Sequence, residues 1–351
     1  MVKRGHNLRV GSLPRVDDAW RRELLHWYDQ NKRDLPWRKT NDPYAIWVSE
    51  AMLQQTQVAT VIPYWERWLT RFPTVESLAG APDEDALSLW QGLGYYRRCR
   101  LLKQGAIYVS EHGMPKDAQG WRSVPGVGPY TAGAISSIAF GDEAALVDGN
   151  VERVYSRLQA DDKSGPALNK AAWGWAERFL DRQRPGDWNQ ALMELGATVC
   201  RPVDPRCPEC PVQTWCVARQ SWQVERFPVR EAKRASVVMR HVVWVPVFEG
   251  KFGLRQIPVG AWWEGMWEFP RLDATASSDP EPLREIVGPG WVQEVGTFKH
   301  AVTHHKITVE VALVRCETAS DELRWVDEGT LKELPMPAPQ RKALGLVRRV
   351  I

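Results

Sequence analysis

The tightest constraint in this sequence is a quartet of cysteines in one short stretch, Cys200-x6-Cys207-x2-Cys210-x5-Cys216. The other two cysteines, Cys99 and Cys316, stand alone. No apolar run is long enough to span a bilayer, and the first twenty residues lack the apolar core of a secretion signal, so a cytoplasmic chain with reduced thiols is expected. In that setting a close-set quartet points to metal ligation rather than to disulfides. Four thiolates suit a tetrahedral zinc ion and a cubane 4Fe-4S cluster equally well, and the spacing leaves both open. A structural role is expected for either. Pro202, Pro205, Pro208 and Pro211 stiffen the loop between the ligands and lower the entropy lost on closing it.

At 351 residues the chain is too long for one ordinary core, and two domains or three modules are expected. From about Asp17 to Trp222 the apolar spacing has a helical period with short Gly and Pro breaks, which predicts an all-α half. After Arg240 short alternating segments take over. His241 to Phe248 ends at a Glu249-Gly250 turn, and Ile307, Val309, Val311 and Leu313 share one face of a second strand. The expected division is a helical domain over 1–220, a polar and basic linker over 221–236, and an α+β domain over 237–351. Net charge is only +3, from 46 Lys+Arg against 43 Asp+Glu, so bulk charge gives no case for nucleic acid. Residues 201 to 240 are locally basic, with Arg201, Arg206, Arg219, Arg226, Arg230, Lys233, Arg234 and Arg240 against four acids. A solvated linker and a phosphate-tracking patch both fit that excess.

Ser123 to Gly133 (SVPGVGPYTAG) joins two helical segments, with Pro129 suited to the first helical position. The glycines of Gly126-Val127-Gly128 let backbone N–H groups point outward at a helix start, where a phosphate oxygen is favoured. A plain turn between helices is the other reading.

Two carboxylates are candidates for chemistry. Tyr44 to Val61 is expected as one helix, with Asp42 as N-cap and Pro43 at its first position. Glu50 lies on its face with Ile46 and Leu53, where desolvation would raise its pKa into the range of a general acid. A half-exposed, paired glutamate is the bland alternative. Asp148 follows the apolar run Ala144 to Val147 and precedes a helix over Val151 to Leu158. It or Asn150 would cap that helix, and the helix dipole and backbone donors would hold an acid there ionised, which suits stabilisation of a developing cation.

With these pieces in order, residues 31 to about 228 resemble the helix-hairpin-helix DNA glycosylases of the endonuclease III superfamily, and within it the MutY-type adenine DNA glycosylases. The specific matches are Trp47-Val48-Ser49-Glu50-Ala51-Met52-Leu53-Gln54-Gln55-Thr56-Gln57, Gly92-Leu93-Gly94-Tyr95-Tyr96, Val124 to Gly128, Val147-Asp148-Gly149-Asn150-Val151, and the cysteine spacing. The resemblance implies an all-α domain with its helix-hairpin-helix at about 118–140, and a 4Fe-4S cluster rather than zinc on Cys200, Cys207, Cys210 and Cys216. It also implies excision of adenine mispaired with 8-oxoguanine or guanine in duplex DNA, by a monomer with no membrane association. The adenine is taken out of the stack, at a cost of roughly a few kcal/mol.

By the same resemblance Glu50 protonates adenine N7 and Asp148 supports or traps the oxocarbenium-like sugar, a division of labour similar to that of glycosidases. Arg38, Tyr130 and Asn150 match site-lining positions, Trp37, Leu53 and Glu194 match the adenine pocket, and Gln55 and Tyr95 match wedges that enter the duplex near 8-oxoguanine. Gly126, Val127 and Gly128 match the phosphate-gripping hairpin. Tyr130 stands where bifunctional relatives carry a Schiff-base lysine, so no efficient β-lyase activity is expected. The C-terminal half resembles the family's Nudix-like domain, which senses 8-oxoguanine. Arg284-Glu285-Ile286 is followed by Val287-Gly288-Pro289, without the carboxylates that hold magnesium in Nudix hydrolases, so recognition without hydrolysis is implied. The family's Phe-Ser-His segment corresponds to Val302-Thr303-His304, which keeps a hydroxyl and an imidazole and lacks the aromatic. His300 and His305 are alternatives.

Overall fold

The structure, a computed structural model, describes residues 18–229, 235–276 and 279–351. Most of the first twenty residues, and Arg230, Lys233 and Arg234 of the expected linker, lie outside the described residues. In chain order the helices are α1 (Asp18–Asn31), α2 (Pro43–Leu53), α3 (Val58–Arg71), α4 (Val75–Ala79), α5 (Asp83–Trp90) and α6 (Arg97–His112). They continue with α7 (Ala118–Trp121), α8 (Pro129–Phe140), α9 (Gly149–Gln159), α10 (Gly165–Phe179), α11 (Pro185–Thr198) and α12 (Val217–Gln220). Strands then begin at β1 (Val237–Phe248) and β2 (Lys251–Gln256), followed by β3 (Trp267–Glu268), β4 (Arg271–Asp273) and α13 (Glu281–Val287). The chain ends with β5 (Gly290–Val302), β6 (His305–Cys316), β7 (Arg324–Val326), α14 (Glu328–Glu333) and α15 (Ala338–Val347).

Two compact units result. One comprises the described residues within 1–54 and 108–232, the other those within 55–107 and 233–351. Helix α12 ends at Gln220 and the first strand, β1, begins at Val237. The helical stretch 55–107 nevertheless belongs to the same compact unit as the strands, joined to them by Trp267 Nε1 donating to Glu84 (2.9 Å) and by the Arg100–Glu264 ion pair (3.1 Å).

In the first unit the core is packed from α1, α9, α10 and α11, where Trp20, Trp175 and Trp188 meet at tilted and edge-on angles. Trp188 is fully buried, and truncating such a side chain to alanine costs about 3–5 kcal/mol. In the second unit β1 runs parallel to β6, while β2 pairs β1 and β5 pairs β6 in antiparallel register, which makes a mixed sheet. Ile307, Val309, Val311 and Leu313 are all buried on one face of β6, as the alternation predicts.

One expected helix is two. Tyr44 to Val61 breaks after Leu53, because Gln55 takes a left-handed backbone (φ 61°) before α3 restarts at Val58. Tyr95 has the same left-handed backbone (φ 49°) and is half exposed, a conformation uncommon outside glycine.

Candidate active site

α2 starts as its sequence dictates. Pro43 occupies the first position and the Asp42 carboxylate accepts from the Tyr44 N–H at 3.0 Å. From Tyr44 to Met52 every residue is buried, so Glu50 lies inside the unit rather than on a half-exposed stripe. Burial pushes its carboxyl up to about 7. The Tyr130 hydroxyl, which donates to Glu50 Oε2 at 2.5 Å, opposes that rise, as does Arg38, while the nearby Asp148 adds to it. The same burial, with Glu50 and Asp148 alongside, raises the Tyr130 phenol well above its ordinary value and keeps it a donor.

Tyr130 reaches Glu50 because α8 is docked closely. A Cβ on Gly133 would stand 2.2 Å from the Ala145 carbonyl, so only glycine lets the helix lie against the segment that leads into Asp148. Asp148 is the N-cap of α9. Its carboxylate accepts from the Asn150 N–H (2.9 Å), the Val151 N–H (2.7 Å) and the Asn150 side-chain amide (2.7 Å). Its pKa is nonetheless raised, because burial outweighs these donors and Arg153. The expectation that the cap alone would hold it down is therefore corrected.

Asn150 is fixed from its other side. Arg153 donates to Asn150 Oδ1 (2.8 Å), to the Cys200 carbonyl (2.8 Å) and to the Gly196 carbonyl (2.8 Å), so one guanidinium joins the Asp148 cap to the first cysteine of the quartet. A Cβ at Gly196 would lie 2.5 Å from the Asn150 Cβ, which brings α11 into contact with the cap. On α11, Glu194 is fully buried and accepts from Arg33 (2.7 and 2.8 Å) and Arg38 (2.8 Å). Burial alone would raise its pKa, but the two arginines outweigh that and hold it down to about 2. Both Glu194 oxygens are engaged by cations, so it orients Arg38 instead of offering a free carboxylate. Trp37 is buried beside Arg38 in the chain, and Leu53 is half-buried at the end of α2.

The hairpin is a type II turn. Pro125 and Gly126 (φ 80°) occupy its centre, and the Val127 N–H donates to the Val124 carbonyl at 3.1 Å. Val127 departs from expectation. Its side chain is buried and its N–H closes the turn, which leaves Gly126 and Gly128 as the exposed backbone before α8.

Cys200, Cys207, Cys210 and Cys216 are half-buried on one loop, and burial, with Cys200 alongside, raises the thiols of Cys207, Cys210 and Cys216. Arg157, 2% exposed, donates to Cys200 Sγ at 3.3 Å and to the Arg201 carbonyl at 2.7 Å. Among the described residues no three His, Cys, Asp or Glu side chains converge tightly enough for a single metal ion. The fit to a cluster lies in the donor chemistry, four soft sulfurs with a buried cation to offset thiolate charge.

In the second unit Thr303 (φ 53°) and His304 form the tip of the β5–β6 hairpin, with the Thr303 hydroxyl bonded to the Val302 carbonyl. His305 packs on Trp262 (4.9 Å) and His300 lies 6.1 Å from Trp263. Arg33, Arg153 and Arg157 escaped the sequence reading. Arg153 and Arg157 stand four apart on the buried face of α9, a visible signal, but helical spacing alone gives no partner for either.

Residues 48–178 match the family model of the HhH-GPD superfamily base excision DNA repair proteins, and residues 241–346 match that of the NUDIX domain. The chain is 51% identical to the adenine DNA glycosylase of Homo sapiens over 60% of its own length and 41% of that protein, so it spans less than half of the human relative. It is 34% identical to the adenine DNA glycosylase of Schizosaccharomyces pombe over 96% of its own length and 91% of the relative. Its fold is similar to the structure of a thermostable thymine-DNA glycosylase, with a TM-score of 0.51 and 28% identity over 57% of this chain and 94% of that one. Two domain matches in the order of the helical and strand-bearing parts, with a relative matched over nearly its full length, establish that this chain belongs to the adenine DNA glycosylase family.

Proposed function

We propose that this protein is a monofunctional adenine DNA glycosylase that extrudes and hydrolyses adenine opposite 8-oxoguanine or guanine. The observation that carries this reading is the buried Glu50 carboxyl, raised to about 7, beside Tyr130 and within electrostatic reach of Asp148. A carboxyl with that pKa is protonated in a large fraction of molecules at neutral pH and can give its proton to adenine N7. The C1′–N9 bond then breaks, its electron pair leaves with the protonated adenine, and positive charge develops on the sugar. Asp148, held by its cap donors, faces that charge as a stabiliser or as a nucleophile at C1′. Water adds at C1′ and yields its proton to the Glu50 carboxylate, which restores the acid and leaves free adenine and an abasic site. No lysine is required, and Tyr130 serves as a hydrogen-bond donor.

Arg38 and the aromatic Trp37, with Leu53, suit a purine pocket, and Glu194 holds Arg38 in place. Gly126 and Gly128 offer exposed backbone to a phosphate, while Val127 supports their turn. Cys200, Cys207, Cys210 and Cys216 would hold the 4Fe-4S cluster, which when bound stiffens a DNA-binding loop. Gln55 and Tyr95 would enter the duplex as wedges, and Thr303 and His304 would meet 8-oxoguanine from the Nudix-like unit. No described helix is long and apolar enough to cross a membrane. We propose a cytoplasmic monomer acting on double-stranded DNA. The test is a single-turnover incubation with duplexes carrying A opposite 8-oxoguanine, T or U opposite G, and with free 8-oxo-dGTP. Release of adenine alone is expected, and pyrimidine release or nucleotide hydrolysis overturns the reading.

A further inference from the structure

A half-buried arginine in the second unit has no place in the chemistry above. Arg98, in the first turn of α6, donates through Nη2 to the Thr56 hydroxyl (3.2 Å) and to the carbonyls of Leu93 (3.4 Å) and Gly94 (3.3 Å). Its guanidinium also lies over the Tyr95 ring at 5.5 Å and the Trp90 ring at 5.4 Å. Thr56 follows Gln55, and Leu93 and Gly94 precede Tyr95. The two segments are 42 residues apart between Thr56 and Arg98, and each carries one non-glycine residue in the left-handed region. Such backbones persist only where the surroundings over-determine them.

We infer that Arg98 is a positioning residue that clasps the Gln55 turn to the Tyr95 loop and presents both side chains to the duplex as one rigid pair. The inference rests on the wedge reading of Gln55 and Tyr95. A guanidinium suits this task because its terminal Nη2 reaches a hydroxyl and two carbonyls while its central carbon lies over a phenol and an indole ring. A lysine ammonium has no plane to lie over the Tyr95 and Trp90 rings, so it loses that half of the clasp. Pre-orientation matters energetically, since each long side chain ordered only on binding subtracts from affinity.

The experiment is a double-mutant cycle on the full chain, read by duplex affinity and single-turnover adenine release with A opposite 8-oxoguanine. Arg98→Lys, and separately Thr56→Val, should each weaken binding about fivefold with an unchanged melting midpoint. In a Gln55→Ala, Tyr95→Ala background neither should cause further loss. Thr56→Val removes one leg of the clasp without touching the charge, so it carries the test if the arginine variant folds poorly. Losses that persist in full in that background, or that track a fall in melting midpoint, overturn the clasp alone. If Gln55→Ala and Tyr95→Ala leave binding unchanged, the wedge reading falls and takes the clasp with it.

Discussion

The Tyr130 hydroxyl donates to Glu50 Oε2 at 2.5 Å across 80 residues of sequence, and it lowers the pKa of a carboxyl that burial raises. Replacing Tyr130 by Phe removes the opposing effect. The alkaline limb of the single-turnover pH–rate profile should then move upward by about one unit, the equivalent of one charge-assisted hydrogen bond. A profile that stays in place or moves down would show that Tyr130 does not tune Glu50.

Glu50→Gln should reduce adenine release by about 10²–10⁴-fold, the usual contribution of a general acid. It should also change how stability responds to pH. Glu50 has a folded pKa raised from 4.5 to about 7, so its contribution is fully present below 4.5 and is lost as pH rises through 7. Wild type should lose about 3 kcal/mol relative to Glu50→Gln over that window. Denaturant melts of both proteins at pH 4.5 and 8 measure it.

Asp148 caps α9, and on the proposed mechanism it also faces the developing cation, two jobs that substitutions can separate. Asn keeps an oxygen that caps α9, so Asp148→Asn should fold with little loss while adenine release collapses. Asp148→Ala should lose the same activity and about 1 kcal/mol of stability besides. Equal activity in Asp148→Asn and wild type would reduce this residue to a cap.

Glu194→Gln leaves Arg33 and Arg38 facing a neutral amide in a buried site. A loss of about 3 kcal/mol is expected, as for other broken buried pairs. Because the Glu194 pKa is lowered to about 2 from 4.5, its contribution is present above 4.5 and disappears as pH falls through 2. The wild-type and variant melting curves should therefore converge in strong acid, which a thermal melt series detects.

Cys210→Ser should cost the iron-dependent visible absorbance and lower the melting midpoint by at least about 5 °C. Because Arg153 joins the Cys200 carbonyl to Asn150, adenine release should fall as well. Undiminished release from a protein without absorbance would separate the loop from the catalytic cap.

The sequence by itself determined what depends on neighbours along the chain. Asp42 and Pro43 start α2, a cap from Asp148 or Asn150 starts α9, Pro129 opens α8, and the alternation of Ile307 to Leu313 gives β6 one apolar face, because caps and periodicities act over a few residues. Only the tertiary structure decided the charge states and partners at the site. Glu50 is an acid near neutrality because distant residues exclude water from it, and Glu194 is an anion because Arg33 and Arg38 lie 161 and 156 residues away in sequence yet in contact. The left-handed break at Gln55 divided an expected single helix, and burial raised Asp148 against its cap. Desolvation is a property of the packed volume around a group, and no short window of residues contains it.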